Sequence, residues 1–244
     1  KDIILKEDLV VLYGAPGVGK TKLALETIKY FVKENPCYTA YCISYKNASL
    51  IEDLQRYMDF DKDYVLFVDD ANRIDSIGQI IGFYKTSRRG KLKVVITVRD
   101  YAYSTIEKVC ANLLHTSYTI NVLTDEQIKD IVKAEPFCIL NTRYHKEIVR
   151  IANGNPRIAI MVALLAIEKQ DIYALYDLSD LFEKYFSTFV SDNGEFADDT
   201  NVKILGVIAF FYTLPYKDKD FVTDILNNFE IGDYASFIDH IDIL

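Results

Sequence analysis

"GAPGVGKT", Gly14 to Thr21, decides how the rest of the chain is read. It matches GxxxxGK(S/T) in full, and its surroundings fit: the apolar run Leu9–Tyr13 precedes it and a helical pattern follows. Gly14, Gly17 and Gly19 let the backbone wrap with its N–H groups turned inward. Those donors, with the positive end of the next helix, attract phosphate oxygens. Lys20 is a point charge for β- and γ-phosphates, and the Thr21 hydroxyl is a candidate Mg²⁺ ligand. Pro16, Val18 and Lys22 complete the expected nucleotide-binding segment. The competing reading is a plain glycine-rich turn between strand and helix, which the full match and its context outweigh.

A second stretch gains meaning from the first. "YVLFVDD", Tyr64 to Asp70, is an apolar strand that ends in two adjacent carboxylates. A nucleotide on the Gly14–Thr21 loop brings Mg²⁺, and the metal needs a carboxylate at the tip of a neighbouring strand. Asp69 fits that role. Strand alternation would turn Asp70 away from Asp69, toward the γ-phosphate and the attacking water. Like charges this close repel, and a divalent cation offsets the repulsion. The alternative is a strand end capped by solvated acids.

"VVITVRD", Val94 to Asp100, is the third element. Its strand ends in Thr97, Val98 and Arg99, at the carboxyl edge where open α/β sheets bind ligands. Arg99 is expected to contact the γ-phosphate or to neutralise charge that develops in the transition state. Its alternative is a surface arginine paired with an acid.

Around these motifs, apolar strands alternate with amphipathic helices. Strands are expected at Leu9–Tyr13, Tyr38–Tyr45, Tyr64–Val68, Leu92–Val98 and Tyr118–Val122, and helices at Thr21–Lys33, Ala48–Met58 and Ile74–Tyr84. Near-continuous apolarity in the strands points to a parallel sheet covered on both faces, an α/β fold. The pattern changes after Leu123. "LTDEQIKDIVKAE" opens with Thr124 and Gln127 in capping-box spacing, and mostly helices follow to about Lys184. Gly154 and Pro156 interrupt them, Ser191–Thr200 is a polar loop, and 201–244 reads as three helices.

Half of the 244 residues are apolar, 26% are charged, and the net charge is −8. This is ordinary globular composition, and its sign argues against broad, non-specific binding to nucleic acid or membrane surfaces. No run approaches a membrane span, and the opening residues are not expected to be a signal peptide. Cys37, Cys42, Cys110 and Cys138 form no CxxC pair and are expected to be buried apolar side chains in a reducing cytoplasm. His115, His145 and His240 are scattered, so no metal site is assigned to them. The chain begins with Lys1 rather than Met and is expected to be a segment of a longer protein.

The P-loop "GAPGVGKT", the tandem acids of "LFVDD", the strand "VITVRD" and then "GNPRIAI" stand in an order that resembles the STAND ATPases. These are signalling relatives of the AAA+ ATPases and include NACHT, NB-ARC and bacterial antiviral sensor proteins. The resemblance spans nearly the whole chain. It implies a three-layer P-loop NTPase sandwich with a five-stranded parallel sheet in the order 5-1-4-3-2. It also implies a nucleotide-binding domain over 1–123, a helical lid over 124–190 and a partial winged helix over 201–244. Pro156 would lie near adenine, and Arg157 would be a second phosphate sensor, against the alternative of a solvated helix-start arginine. ATP or ADP with Mg²⁺ would be the cofactor. Nucleotide state would control self-association and the activation of fused effector and sensor domains in the cytoplasm.

Two other readings remain open at this stage. One is an AAA+ ATPase acting on nucleic acid. Residues 201–244 carry Lys203, Lys217 and Lys219 against seven acids, which suits DNA poorly. The basic stretch "SRRGKLK", Ser87 to Lys93, is read as a solvated turn, with a loop contact to nucleic acid or a neighbouring subunit as the alternative. The other reading is a nucleotide-binding switch with little turnover.

Overall fold

The structure, a computed structural model, describes residues 6–43, 50–74, 76–175, 204, 217–229 and 232–243. Five strands form one sheet: β1 (Leu9–Gly14), β2 (Tyr38–Ile43), β3 (Asp63–Val68), β4 (Leu92–Arg99) and β5 (Thr116–Thr119). Their order is β2-β3-β4-β1-β5, the order expected, and every pairing is parallel. The register sets Val11 beside Ile96, Val68 beside Ile96 and Gly14 beside Arg99. The ends of β1, β3 and β4, where the motifs lie, therefore come together at one edge of the sheet.

Alternation along the strands divides the core. Leu9, Val11, Leu66, Val68, Val94 and Ile96 pack with α2 (Leu50–Tyr57), α3 (Ile77–Lys85) and α4 (Tyr103–Cys110). Val10, Leu12, Val65, Phe67 and Val95 pack with Ala24, Ile28 and Phe31 of α1 (Lys20–Glu34). Burial on both faces explains why the central strands read as unbroken apolar runs.

The boundaries differ from expectation where local chemistry takes over. Ala71–Arg73 forms a 3₁₀ turn, so α3 starts at Ile77 rather than Ile74. The fifth strand is Thr116–Thr119 rather than Tyr118–Val122. The Ile120 amide still donates to Tyr13 O, but the Leu123 amide turns to Gly154 O, which draws the chain off the sheet. Helix α4 has no counterpart among the expected elements. The ends of the second strand and the start of the second helix, 44–49, lie outside the described residues.

Beyond the sheet stand α5 (Asp125–Lys133), α6 (Thr142–Ala152) and α7 (Pro156–Lys169). The Thr124 capping box forms as expected: its hydroxyl accepts from the Gln127 amide, and the Gln127 side chain accepts from the Thr124 amide. Ile128, Val132, Ile148, Ala159, Val162 and Leu165 fill the space where α5, α6 and α7 pack. The chain divides into two compact units, Lys1–Ile172 and Tyr173–Leu244. In the second, α8 (Lys219–Phe229) and α9 (Tyr234–Ile243) bury Val222, Leu226 and Phe237 with Ile204. The expected helix up to Lys184, the loop Ser191–Thr200 and most of the first helix after 201 lie outside the described residues.

The cysteine expectation is corrected. All four are free thiols, but Cys37, Cys42 and Cys138 are exposed and only Cys110 is buried. The exposed three lie at the head of β2, on that edge strand, and past the end of α5. Burial pushes the Cys110 thiol up to about 11, so it behaves as an apolar filler.

Candidate nucleotide-binding site

The Gly14–Thr21 loop joins β1 to α1, as the motif requires. Gly17 and Gly19 have φ of +78° and +95°, values that favour glycine. Val18 is buried and anchors the loop. Lys20 is only 7% exposed, and its ammonium donates to Gly14 O and Ala15 O, both at 2.9 Å. Burial lowers its pKa; Asp70, Asp100 and Asp69 oppose that shift, and Arg99 adds to it. The Lys22 side chain is exposed to solvent and pairs with Glu26 at 3.1 Å.

Thr21 and Asp69 meet. The Thr21 hydroxyl donates to Asp69 Oδ1 at 2.8 Å, and the Thr97 hydroxyl donates to the same oxygen at 2.6 Å. Thr97 is fully buried and also accepts from the Asp70 amide at 2.9 Å. One hydroxyl on β4 thus fixes both acids at the end of β3. A threonine hydroxyl and a carboxylate suit a hard divalent cation, which takes oxygen ligands.

Asp69 and Asp70 are separated by a turn and not by strand pleating. β3 ends at Val68, and Asp70 adopts the left-handed conformation, φ 50° and ψ 52°. Its Oδ2 lies 3.5 Å from an Arg99 terminal nitrogen, both side chains being about one-third exposed. The Arg99 amide donates to Asn72 Oδ1 at 3.2 Å, which ties the end of β4 to the 3₁₀ turn after Asp70. Lys20, Asp69, Asp70 and Arg99 therefore form one charged group at the mouth of the loop.

The "NGNPRI" stretch also reaches this place. Pro156 is the first residue of α7, and Asn155 caps it, accepting from the Arg157 amide at 3.0 Å and the Ile158 amide at 3.3 Å. The Asn155 side chain also donates to Pro16 O at 3.1 Å. Asn72 and Asn155 are site residues that motif reading assigns no role; Thr97 is placed by the sequence at the ligand-binding edge, without the bonds to both acids seen here. Asn155 has a signal in its place as a capping residue before Pro156.

The basic stretch Ser87–Lys93 is engaged within the fold. Arg89 pairs with Asp61 at 2.8 Å and Lys93 with Asp8 at 2.9 Å. The Arg88 guanidinium stacks between Phe60 and Phe83, 5.0 and 4.8 Å from the ring centres.

Residues 1–138 match the family model of Novel STAND NTPase 3, nSTAND3. The chain belongs to this family. No curated protein matches it. Among solved structures, the RuvB Holliday junction branch migration motor of Thermotoga maritima aligns at TM-score 0.51 and 18% identity, over 85% of this chain and 70% of that chain. A point variant of the same RuvB aligns at 0.52 and 19%, with the same coverage. At such identities the likeness is one of fold. The nSTAND3 match covers the P-loop, both acids and Arg99, while Asn155–Arg157 lie beyond it. No helix among the described residues is long and apolar enough to cross a membrane.

Proposed function

We propose that this STAND NTPase binds and slowly hydrolyses ATP with Mg²⁺, and that the bound nucleotide sets a molecular switch. The observation that carries the reading is the meeting of Thr21 with Asp69 at 2.8 Å, beside the buried Lys20 and the Asp70–Arg99 pair. Backbone amides of Gly14, Gly17 and Gly19 with Lys20 would hold the phosphates, flanked by Pro16, Val18 and the Lys22 main chain. Thr21 and Asp69 would hold Mg²⁺. Held there, the metal would supply positive charge that offsets charge developing on the phosphate oxygens. Asp70 orients the attacking water, Arg99 meets the γ-phosphate, and Pro156 and Arg157 face the nucleotide from the start of α7.

Adenine over guanine rests on the family resemblance. So does the division into a nucleotide-binding domain (1–123), a helical lid (124–190) and a partial winged helix (201–244). In this reading nucleotide exchange governs self-association and the output of fused effector and sensor domains, in a cytoplasmic signalling or antiviral role.

The deciding experiment compares ATP binding and turnover in Asp70→Asn with wild type. Binding is expected to stay close to wild type while turnover falls roughly 100-fold, the scale of lost acid–base assistance. Turnover equal to wild type would overturn the role given to Asp70. The RuvB likeness supports a second reading, action on nucleic acid, but two observations weigh against it. Arg89 and Lys93 are already paired with acids, and residues 201–244 carry three lysines against seven acids.

A further inference from the structure

We infer that Asn155 is a positioning residue that couples helix α7 to the phosphate-binding loop, through one planar amide that serves both. Its carbonyl oxygen caps α7 by accepting from the Arg157 and Ile158 amides, and its NH₂ group donates to Pro16 O across 139 positions of sequence. The partners fix which way the amide points. Turned over, its NH₂ would face two N–H donors and its oxygen would face a carbonyl.

Gly17 makes the approach practicable. A Cβ built on Gly17 would lie 2.8 Å from Asn155 Oδ1 and 2.9 Å from Asn155 Nδ2. Glycine here serves the left-handed turn of the loop and also leaves room for the asparagine. The chain just before Asn155 is pinned as well. Asn153 and Gly154 are both left-handed, at φ 44° and 76°, and Gly154 O accepts from the Leu123 amide at 2.8 Å. Residues 153–155 therefore bridge the connection out of the sheet and the middle of the loop. Pro156 and Arg157 follow directly, so a shift of the Pro16 carbonyl is carried to the first turn of α7 through a rigid amide.

The coupling stands on this geometry alone. Its consequence for nucleotide rests on the site reading above. Two substitutions separate the two jobs of the amide. Asn155→Asp keeps the cap acceptor and loses the donor to Pro16. Asn155→Ser also caps a helix and is too short to reach Pro16. Serine is neutral, so agreement between the two removes the added charge as a cause.

Hydrogen exchange of the nucleotide-free protein is the first readout. Both variants are expected to exchange faster over 15–19 while the α7 amides stay protected as in wild type. Unchanged loop exchange in both would reduce Asn155 to a helix cap and overturn the inference. The second readout is release of a fluorescent ADP analogue and the Tm. Release is expected to be roughly threefold to tenfold faster in Asn155→Ser, as for loss of one net hydrogen bond, with Tm lowered by no more than a few degrees. A fall in Tm with unaltered release would mean a structural role only. Failure of the wild type to bind the analogue would sink the site reading and leave the exchange result standing, so the two failures are distinguishable.

Discussion

The hydroxyl of Thr21 donates to Oδ1 of Asp69 across 2.8 Å, although the residues are 48 positions apart. Strand order brings them together. β4 lies between β1 and β3, and its Thr97 bonds the same carboxylate oxygen. The acid at the end of β3 is thus held by hydroxyls from two other elements before any ligand is considered.

Asp69→Asn keeps the size of the side chain and removes its charge. The variant is expected to need at least about tenfold more Mg²⁺ for half-maximal ATP turnover, the scale of a disturbed metal site. A Mg²⁺ titration of turnover measures this, and Thr21→Ser, which keeps the hydroxyl, is expected to stay near wild type.

Thr97→Val is nearly the same shape and lacks the hydroxyl. It leaves the Asp70 amide without its acceptor in a part-buried place and removes one bond to Asp69. A loss of about 1–3 kcal/mol in urea unfolding is expected, with Thr97→Ser recovering most of it.

Lys20 gives a pH signature. Burial holds its ammonium below the ordinary 10.5 in the folded protein. Between that lowered value and 10.5, the unfolded chain carries a proton that the folded chain lacks, so this residue's contribution to stability rises with pH. Below the window the buried charge carries its full cost. Without nucleotide, the stability advantage of Lys20→Met over wild type is therefore expected to be greatest at neutral pH and to shrink toward 10.5. Urea unfolding across that range checks it; a gap that stays constant would contradict it.

Gly154→Ala tests the bridge before α7. At φ 76° an added Cβ is strained, and it would come within 2.6 Å of Leu123 O. A cost of at least about 1–2 kcal/mol is expected from the left-handed backbone alone, read as a lower Tm.

What the sequence disclosed was chemistry carried by neighbours in the chain. Gly14–Thr21, the Asp69–Asp70 pair at a strand end, and the Thr124 capping box each announce themselves within eight residues. The central strands were legible because burial on both faces makes them continuous apolar runs. Helix α4 was not, and the edge strand Thr116–Thr119 was legible only with shifted bounds, because partly exposed elements carry a mixed pattern. Nor could local pattern reveal that Asn155 meets Pro16 or that Thr97 serves both acids, since these bonds exist only once strands and helices are adjacent. The left-handed turn at Asp70 was hidden for a related reason. Strand alternation does not reach Asp70, which lies two residues past the end of β3.

Calorimetric titration of ATP, with and without Mg²⁺, into wild type and Lys20→Ala tests the phosphate-binding loop most directly. Wild type is expected to bind, more tightly with Mg²⁺ than without, and Lys20→Ala is expected to show no measurable binding. Equal binding by both proteins, or none by wild type, would contradict the assignment of Lys20 and its loop.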